Sequence, residues 1–322
     1  MKNIGKICLL AAALCVCGSA IAQSYPTRPI RMLVVYPTGG GTDISARVIG
    51  QKLSEALCQQ IVVDNRPGAS GSIAMEMAAR AAPDGYTLVM STLSQMALNP
   101  ALIPSLPFDP LKDFTPVALA SSTIFVLIVP AGLPARSVKE FIVLAKAQPG
   151  KLTYGSSGMG GASHVAGELF QLMAGIKMVH VPYKGGAPAI VGVAGAQVSM
   201  YFADIIAAQQ LIASGKLRAL GVTSARRSAL AREIPTIAEA GLPGYEMTSW
   251  NGVLAPAGTP RAIIDRLNAV IVRALPQPDI AERLAGDGSE FGKNTPEQFS
   301  AFVRAEQAKW RKVIQTANIK ID

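Results

Sequence analysis

The chain has 322 residues, of which 50% are hydrophobic and 16% are charged, and its formal net charge is +9 at pH 7. The basic residues are scattered rather than clustered with aromatics, which argues against a nucleic-acid-binding surface. This length exceeds that of one ordinary small domain and favours two domains. The two histidines lack the spacing of a metal site and have no cysteine partner, so we expect neither a metal nor a cofactor.

The N-terminus has the pattern of a secretory signal. Lys2 and Lys6 precede an apolar run over residues 7–16, and residues 20–22 (Ala-Ile-Ala) form a small-x-small cleavage site. The apolar run is too short to span a bilayer comfortably. We therefore predict that residues 1–22 are removed from an exported protein.

Strands alternate with helices from residue 30 onward. The β-branched run 30–36 predicts a strand, the following glycines predict a turn, and Asp43 caps the next helix. Further strands are predicted at 61–63, 86–90, 124–129, 152–154, 178–181, 198–202, 217–222 and 247–254. Helices are predicted at 72–80, 137–148, 162–174, after 185–186, at 204–214, from 259, and from 295 to about 317, with turns and a short helix in 224–245. Two such βα blocks imply parallel sheets covered by helices and suit a bilobal protein.

A glycine-rich loop follows a predicted strand in each block. The first loop, from Tyr36 to Asp43, contains Thr38, Gly39, Gly40, Gly41 and Thr42. The second loop, from Tyr154 to His164, contains Gly155, Ser156, Ser157 and Ser163. Glycines let backbone N–H groups approach a ligand, and each following helix offers a partly positive N-terminus. Facing each other, the loops would clamp a small anion, whereas each loop alone also fits a tight turn with a helix cap.

Two further groups follow predicted strands. Tyr183 and Lys184 lie after strand 178–181, where the lysine offers a positive charge to a carboxylate. Ser91 and Thr92 lie at the end of strand 86–90 and offer hydroxyl donors to the same cleft. Ordinary turn chemistry and a solvated lysine are the alternative interpretations.

The two loops resemble known enzyme motifs, but each motif is incomplete. The run from Gly158 to Ser163 lacks the last glycine of the dinucleotide fingerprint. No G-x-S-x-G elbow surrounds Ser156 or Ser157. We therefore do not predict an enzyme, and a secreted serine hydrolase using Ser157 and His164 remains the alternative.

Several segments together carry a family resemblance over essentially the whole mature chain. They are YPTGGGTDISAR (36–47), NRPGASG (65–71), PDGYTL (83–88), YGSSGMGGASHVAGELF (154–170), HVPYKGGAPA (180–189), GKLRALGVTS (215–224), IPTIAEAGLPGYE (234–246) and WNG (250–252). In this order and spacing the chain resembles the Bug family of periplasmic receptors, also called the tripartite tricarboxylate transporter receptor family.

The resemblance implies an α/β Venus-flytrap fold of two α/β domains joined by crossing strands. Residues 23–123 and 247–322 would form domain 1, residues 124–246 domain 2, and the C-terminal helices would return to domain 1. It further implies a monomeric periplasmic receptor that holds a di- or tricarboxylate, an acidic amino acid or an aromatic acid, and then docks on a membrane permease or a sensor-kinase ectodomain. The ligand-binding candidates are Tyr36, Thr38, Gly39, Gly40, Gly41, Thr42, Asp43, Ser91, Thr92, Gly155, Ser156, Ser157, Ser163, His164, Tyr183, Lys184, Phe202 and Asp204.

Overall fold

The computed structural model describes residues 25–228, 231–284, 294–316 and 319–320. The predicted signal at 1–22 lies outside the described residues. The strands are β1 (Ile30–Val34), β2 (Ile61–Asn65), β3 (Thr87–Thr92), β4 (Phe114–Pro130), β5 (Thr153–Ser156), β6 (Val179–Pro182), β7 (Met200–Asp204), β8 (Leu217–Val222) and β9 (Thr248–Pro256). The helices are α1 (Gly41–Leu57), α2 (Ser72–Ala79), α3 (Asn99–Leu102), α4 (Val138–Ala147), α5 (Ala162–Ala174), α6 (Gly186–Ala194), α7 (Ile205–Ala213), α8 (Arg261–Ala274), α9 (Pro278–Leu284) and α10 (Pro296–Thr316). In these ranges no helix combines the length and hydrophobicity needed to cross a membrane.

The strands form two parallel groups joined by an antiparallel centre. Their order is β2-β1-β3-β9-β4-β7-β5-β6, with β8 also paired to β4. Within β2-β1-β3 and β7-β5-β6 the neighbours run parallel, as the alternation of strands and helices predicts. Strands β4 and β9 run antiparallel to their neighbours, which the alternation did not indicate.

The long strand β4 connects the two halves of the sheet. Residues 114–124 pair with β9, whereas residues 125–130 pair with β7 and β8. Only 124–129 was predicted as a strand, because Pro116 and the small residues after it interrupt the apolar pattern. We call β1, β2, β3, β9 and the first part of β4 the first lobe, and β5–β8 with the rest of β4 the second lobe. The predicted bilobal α/β fold with crossing strands is confirmed, while the domain boundaries at 123/124 and 246/247 stay predictions.

The C-terminal helix α10 packs on the first lobe. The ring of its Phe299 lies 5.5 Å from that of Trp250 on β9, edge to face. A side chain added at Gly252 would meet the same phenylalanine ring at 2.2 Å, so this glycine allows the close approach. Gln307 donates a hydrogen bond of 2.6 Å to the Met96 carbonyl.

One local prediction was wrong, and one local element was missed. The segment 224–245 contains turns and bends in its described part rather than the expected short helix. Conversely, residues 94–98 after β3 form one wide helical turn that leads directly into α3. This turn was not predicted, because its apolar residues carry no regular spacing, and its packing against α10 stabilises it.

Candidate functional site

A cavity of about 80 Å³ lies between the lobes, where the loops after β1, β5 and β7 meet. Nine of the predicted residues line it: Tyr36, Thr38, Gly40, Gly41, Thr42, Thr92, Ser157, Ser163 and Asp204. The two glycine-rich loops therefore face each other across one space, as expected from their positions at the ends of parallel strands.

Three helices begin at this cavity without a side-chain cap. The residues before α1, α5 and α6 are Gly40, Gly161 and Gly185, and none of them provides a capping hydrogen bond. The helix N-termini therefore direct partial positive charge toward the cavity, and the first N–H of α5, that of Ala162, is already bonded to Ser94 Oγ. No Lys, Arg or His side chain of the described residues lines it. The positive potential in the cavity comes from backbone dipoles.

Asp43 stabilises the first loop instead of lining the cavity. Its Oδ2 accepts hydrogen bonds of 3.0 Å from the Gly39 N–H and from Arg47 Nε, and its Oδ1 accepts one of 3.0 Å from Asn65. Burial acts to raise the pKa of Asp43, but the hydrogen bonds from Arg47, Gly39 and Asn65 outweigh it and lower the pKa. An ionised Asp43 thus holds Gly39 at a φ of +86°, which glycine adopts without strain.

Three stacked aromatic rings outside the cavity support the second loop. The His164 ring lies 4.1 Å from that of His180, which in turn lies 4.8 Å from that of Tyr154. His180 Nε2 is hydrogen-bonded to the Ser156 hydroxyl at 2.7 Å, and His164 Nδ1 accepts from the Gly160 N–H at 3.2 Å. Burial lowers the pKa of His164 to about 3, with a contribution from His180, and burial lowers the pKa of His180 to about 4. Neither His164 nor Ser156 lines the cavity, so both support the loop.

The geometry required of a serine hydrolase is missing. Ser157 Oγ is hydrogen-bonded to Ser163 Oγ at 3.0 Å, and no hydrogen bond joins Ser157 to His164 within the described residues. The other serine–histidine pair, Ser156 with His180, has a fully buried serine that also bonds the Gly158 carbonyl. A substrate carbonyl therefore cannot reach that serine.

The remaining predicted residues lie outside this cavity. Tyr183 and Lys184 line an adjoining cavity of about 600 Å³, which shares Tyr36 and Ser157 with the first. Gly155 lies in β5 beside the Tyr183 ring, where a side chain would make ordinary contact at 3.4 Å. Phe202 packs in the core against Phe170 and Tyr245, and Ser91 is fully buried. We infer that these last three residues shape the site without facing it.

Asp204 is the one acidic side chain of the described residues that lines the cavity. It ends β7 and caps α7, since its Oδ1 accepts a hydrogen bond of 3.0 Å from the Ile206 N–H. Burial raises the pKa of Asp204 to about 6, against hydrogen bonds that lower it. Its Oδ2 lies so close to Gly41 that a Cβ on this glycine would stand 1.8 Å away. The two lobes therefore meet at Gly41 and Asp204.

Sequence reasoning missed several residues that line the cavity. They are Pro37, Ser94, Phe125, Ala162, Gly185, Gly186, Ala187, Pro188, Tyr201, Ser249 and Asn251. The glycine pair of the HVPYKGGAP segment was a usable signal for the third helix N-terminus. Phe125 and Asn251 lie within the crossing strands β4 and β9, where no local pattern distinguishes a residue at the cleft from one in the core.

Known proteins that are similar to this chain have the same architecture. The profile described as tripartite tricarboxylate transporter family receptor matches residues 45–319. Protein BugT of Bordetella pertussis is 37% identical over 93% of this chain and 92% of its own length. Among solved structures, Rpa4515 of R. palustris with adipate has a TM-score of 0.87 and 38% identity, over 92% of this chain and 99% of its own. MatC of Rhodopseudomonas palustris with bound malate has a TM-score of 0.83 and 31% identity, over 90% of this chain and 100% of its own. The chain therefore belongs to the tripartite tricarboxylate transporter family of receptors, which are binding proteins and not enzymes.

Proposed function

We propose that this protein captures a small carboxylate between its lobes in the periplasm and presents it to a membrane permease of the tripartite tricarboxylate type. The observation that carries the proposal is the convergence of three helix N-termini, each preceded by a glycine, on one cavity that no basic side chain of the described residues lines. Backbone N–H groups at helix N-termini are suitable donors for a carboxylate. The hydroxyls of Thr42, Ser157 and Ser163 add donors from both lobes.

The relatives support a carboxylate as the ligand. Adipate and malate are the molecules named in two of the similar structures. Both have a carboxylate at each end of a short carbon chain, and the second cavity beside Lys184 gives such a chain room to extend. Aromatic acids and acidic amino acids belong to the same proposed class.

Contacts between the lobes suggest how the ligand is enclosed. The Ala162 N–H of the second lobe donates a buried hydrogen bond of 2.9 Å to Ser94 Oγ of the first. Ser70 of the first lobe donates to the Met159 carbonyl of the second. A carboxylate held by both lobes favours the closed arrangement by its higher affinity for that state. The closed protein is then the form that a partner recognises.

The partner and the assembly complete the proposal. Family membership favours a tripartite permease, and a sensor-kinase ectodomain is the alternative partner. We propose a monomer whose domains are residues 23–123 with 247–322 and residues 124–246. The basic n-region, apolar run and Ala-x-Ala site of residues 1–22 support export to the periplasm.

A thermal-shift screen of the mature protein against mono-, di- and tricarboxylates and amino acids, followed by calorimetry, tests the proposal. A ligand that binds only the folded state raises the melting temperature. Replacing Gly40 by leucine places a side chain in the cavity and should abolish binding of every hit. Gly132→Leu is the matched control, because nothing lies within 4 Å of a Cβ at that position. Unchanged affinity in Gly40→Leu would show that the loop does not hold the ligand.

A further inference from the structure

We infer that Asp204 makes this receptor selective for carboxylates that carry a hydrogen-bond donor, a hydroxyl or an ammonium group, close to the bound carboxylate. An unsubstituted acid of the same length is disfavoured. This inference rests on the proposed function and concerns the choice among carboxylates within that site.

The distribution of charge in the cavity is the first argument. Three helix N-termini attract an anion, but Asp204 adds a full negative charge on the same wall. No ion pair to Asp204 is found among the described residues, and no basic side chain there lines the cavity. A ligand that brings only carboxylates must either leave this charge uncompensated or force Asp204 to take up a proton, and at pH 7.5 both weaken binding.

The placement of the carboxylate is the second argument. Asp204 Oδ1 is engaged by the Ile206 N–H at the start of α7, which fixes the orientation of the group. Oδ2 points toward Gly41 in the first turn of α1, one of the proposed carboxylate-binding helix ends. Asp204 is half-buried and lines the cavity. A donor beside the bound carboxylate would therefore meet Oδ2.

The neighbouring groups leave this acceptor for the ligand. Tyr201 on β7 interacts electrostatically with Asp204 and with Tyr36, and both tyrosines line the same cavity. The other elements contribute neutral residues, which are Phe125 from β4, Ser157 from the β5–α5 loop, Ser163 from α5, glycines from the start of α6, and Ser249 and Asn251 from β9. Asp43 on α1 is engaged by Gly39, Arg47 and Asn65 instead. None of these side chains supplies the positive charge that Asp204 lacks.

A matched series of acids tests the inference. Calorimetry at pH 7.5 compares succinate with malate and aspartate, glutarate with 2-hydroxyglutarate and glutamate, and adipate with 2-aminoadipate. Among acids of a chain length that binds, the wild-type protein should bind the hydroxylated or aminated acid at least about tenfold more tightly than the unsubstituted one. This is the difference expected for a charge-assisted hydrogen bond. The series varies one substituent at constant chain length.

The variant Asp204→Asn assigns the preference to this residue. Asparagine has nearly the same shape and is an equally good helix cap, so α7 should be preserved while the charge is removed. The preference should shrink to about threefold or less, and the affinity for the unsubstituted acid should rise. The melting temperature of the unliganded variant, which should not fall, checks that the fold is intact.

The outcomes separate this inference from the proposed function. Wild-type protein that binds the unsubstituted acid as tightly as its substituted relatives would overturn the inference and leave the receptor function standing. A preference that persists in Asp204→Asn would overturn it as well. Wild-type protein that binds no member of the series but binds another carboxylate of the thermal-shift screen would overturn the inference alone. Wild-type protein that binds no carboxylate in either experiment would contradict both proposals.

Discussion

Replacing Gly41 by alanine should weaken ligand binding through a contact between the lobes. The added Cβ would stand 1.8 Å from Asp204 Oδ2 and 2.7 Å from its Cγ. To reach van der Waals contact the two atoms must separate by roughly 1.5 Å. Either the Asp204 side chain rotates away and gives up its cap on α7, or the lobes stay apart. The first route costs about 1 kcal/mol, the usual contribution of a helix cap.

The second route removes contacts that depend on closure, including the hydrogen bond between Ala162 and Ser94. A total of about 1–2 kcal/mol corresponds to an affinity roughly 5- to 30-fold lower. Calorimetry with the best carboxylate from the screen measures this loss. Gly132→Ala is the control, because its Cβ meets nothing within 4 Å. Since the strain arises between the lobes, the melting temperature of the unliganded Gly41→Ala protein should remain close to that of the wild type.

A double-mutant cycle sharpens the test. Asp204→Ser shortens the side chain and keeps a good helix cap. If the clash is the cause, Gly41→Ala should have little further effect in the Asp204→Ser background. Wild-type affinity in the single variant Gly41→Ala, or a full loss in both backgrounds, would refute the proposed contact between Gly41 and Asp204.

Two further predictions concern titration and the second cavity. His164 and His180 stay neutral in the fold, with pKa values of about 3 and about 4, whereas a histidine of the unfolded chain has a pKa near 6.5. The unfolded state then binds more protons below pH 6.5, so the free energy of unfolding should fall toward pH 4 by up to about 1.4 kcal/mol per pH unit for each histidine. Urea titrations should show that His180→Gln removes one of these two equal contributions, and an unchanged slope would contradict the assignment. Lys184→Ala should lower the affinity for acids long enough to reach the second cavity by less than about fivefold, and it should leave the affinity for short acids unchanged. Calorimetry on acids of two to six carbons measures both effects. An equal loss of affinity for short acids would place Lys184 at the first cavity.

The local sequence patterns were sufficient to predict most elements around the site. Helix α5 begins and ends at the predicted residues 162 and 174, and β8 spans the predicted 217–222. These segments have regular apolar spacing bounded by glycines, so neighbouring residues alone specify them. The loops at Gly39–Thr42 and Ser157–Ser163 could be predicted for the same reason, because contiguous glycine and hydroxyl residues between a strand and a helix are visible in the sequence.

Tertiary structure decided which candidates face the cavity. Asp43 and His164 belong to the predicted motifs, yet neither lines the cavity. Asp43 accepts a hydrogen bond from the Gly39 N–H, and His164 accepts one from the Gly160 N–H. Which side of a loop a side chain takes depends on partners distant in sequence, such as Asn65 and His180. Residue type and spacing carry no information about such partners.

By itself, the sequence determined the alternation of strands and helices, the two glycine-rich loops and the family resemblance, because each rests on contiguous residues. Only the tertiary structure decided that β4 crosses between the lobes with Phe125 at the cleft, and that Asp204 meets Gly41. Both features arise where segments far apart in the chain come together. The physical reason is that pairing along a 17-residue strand and contact between lobes depend on the packing of the whole chain, whereas helix caps and turns depend on a few neighbouring residues.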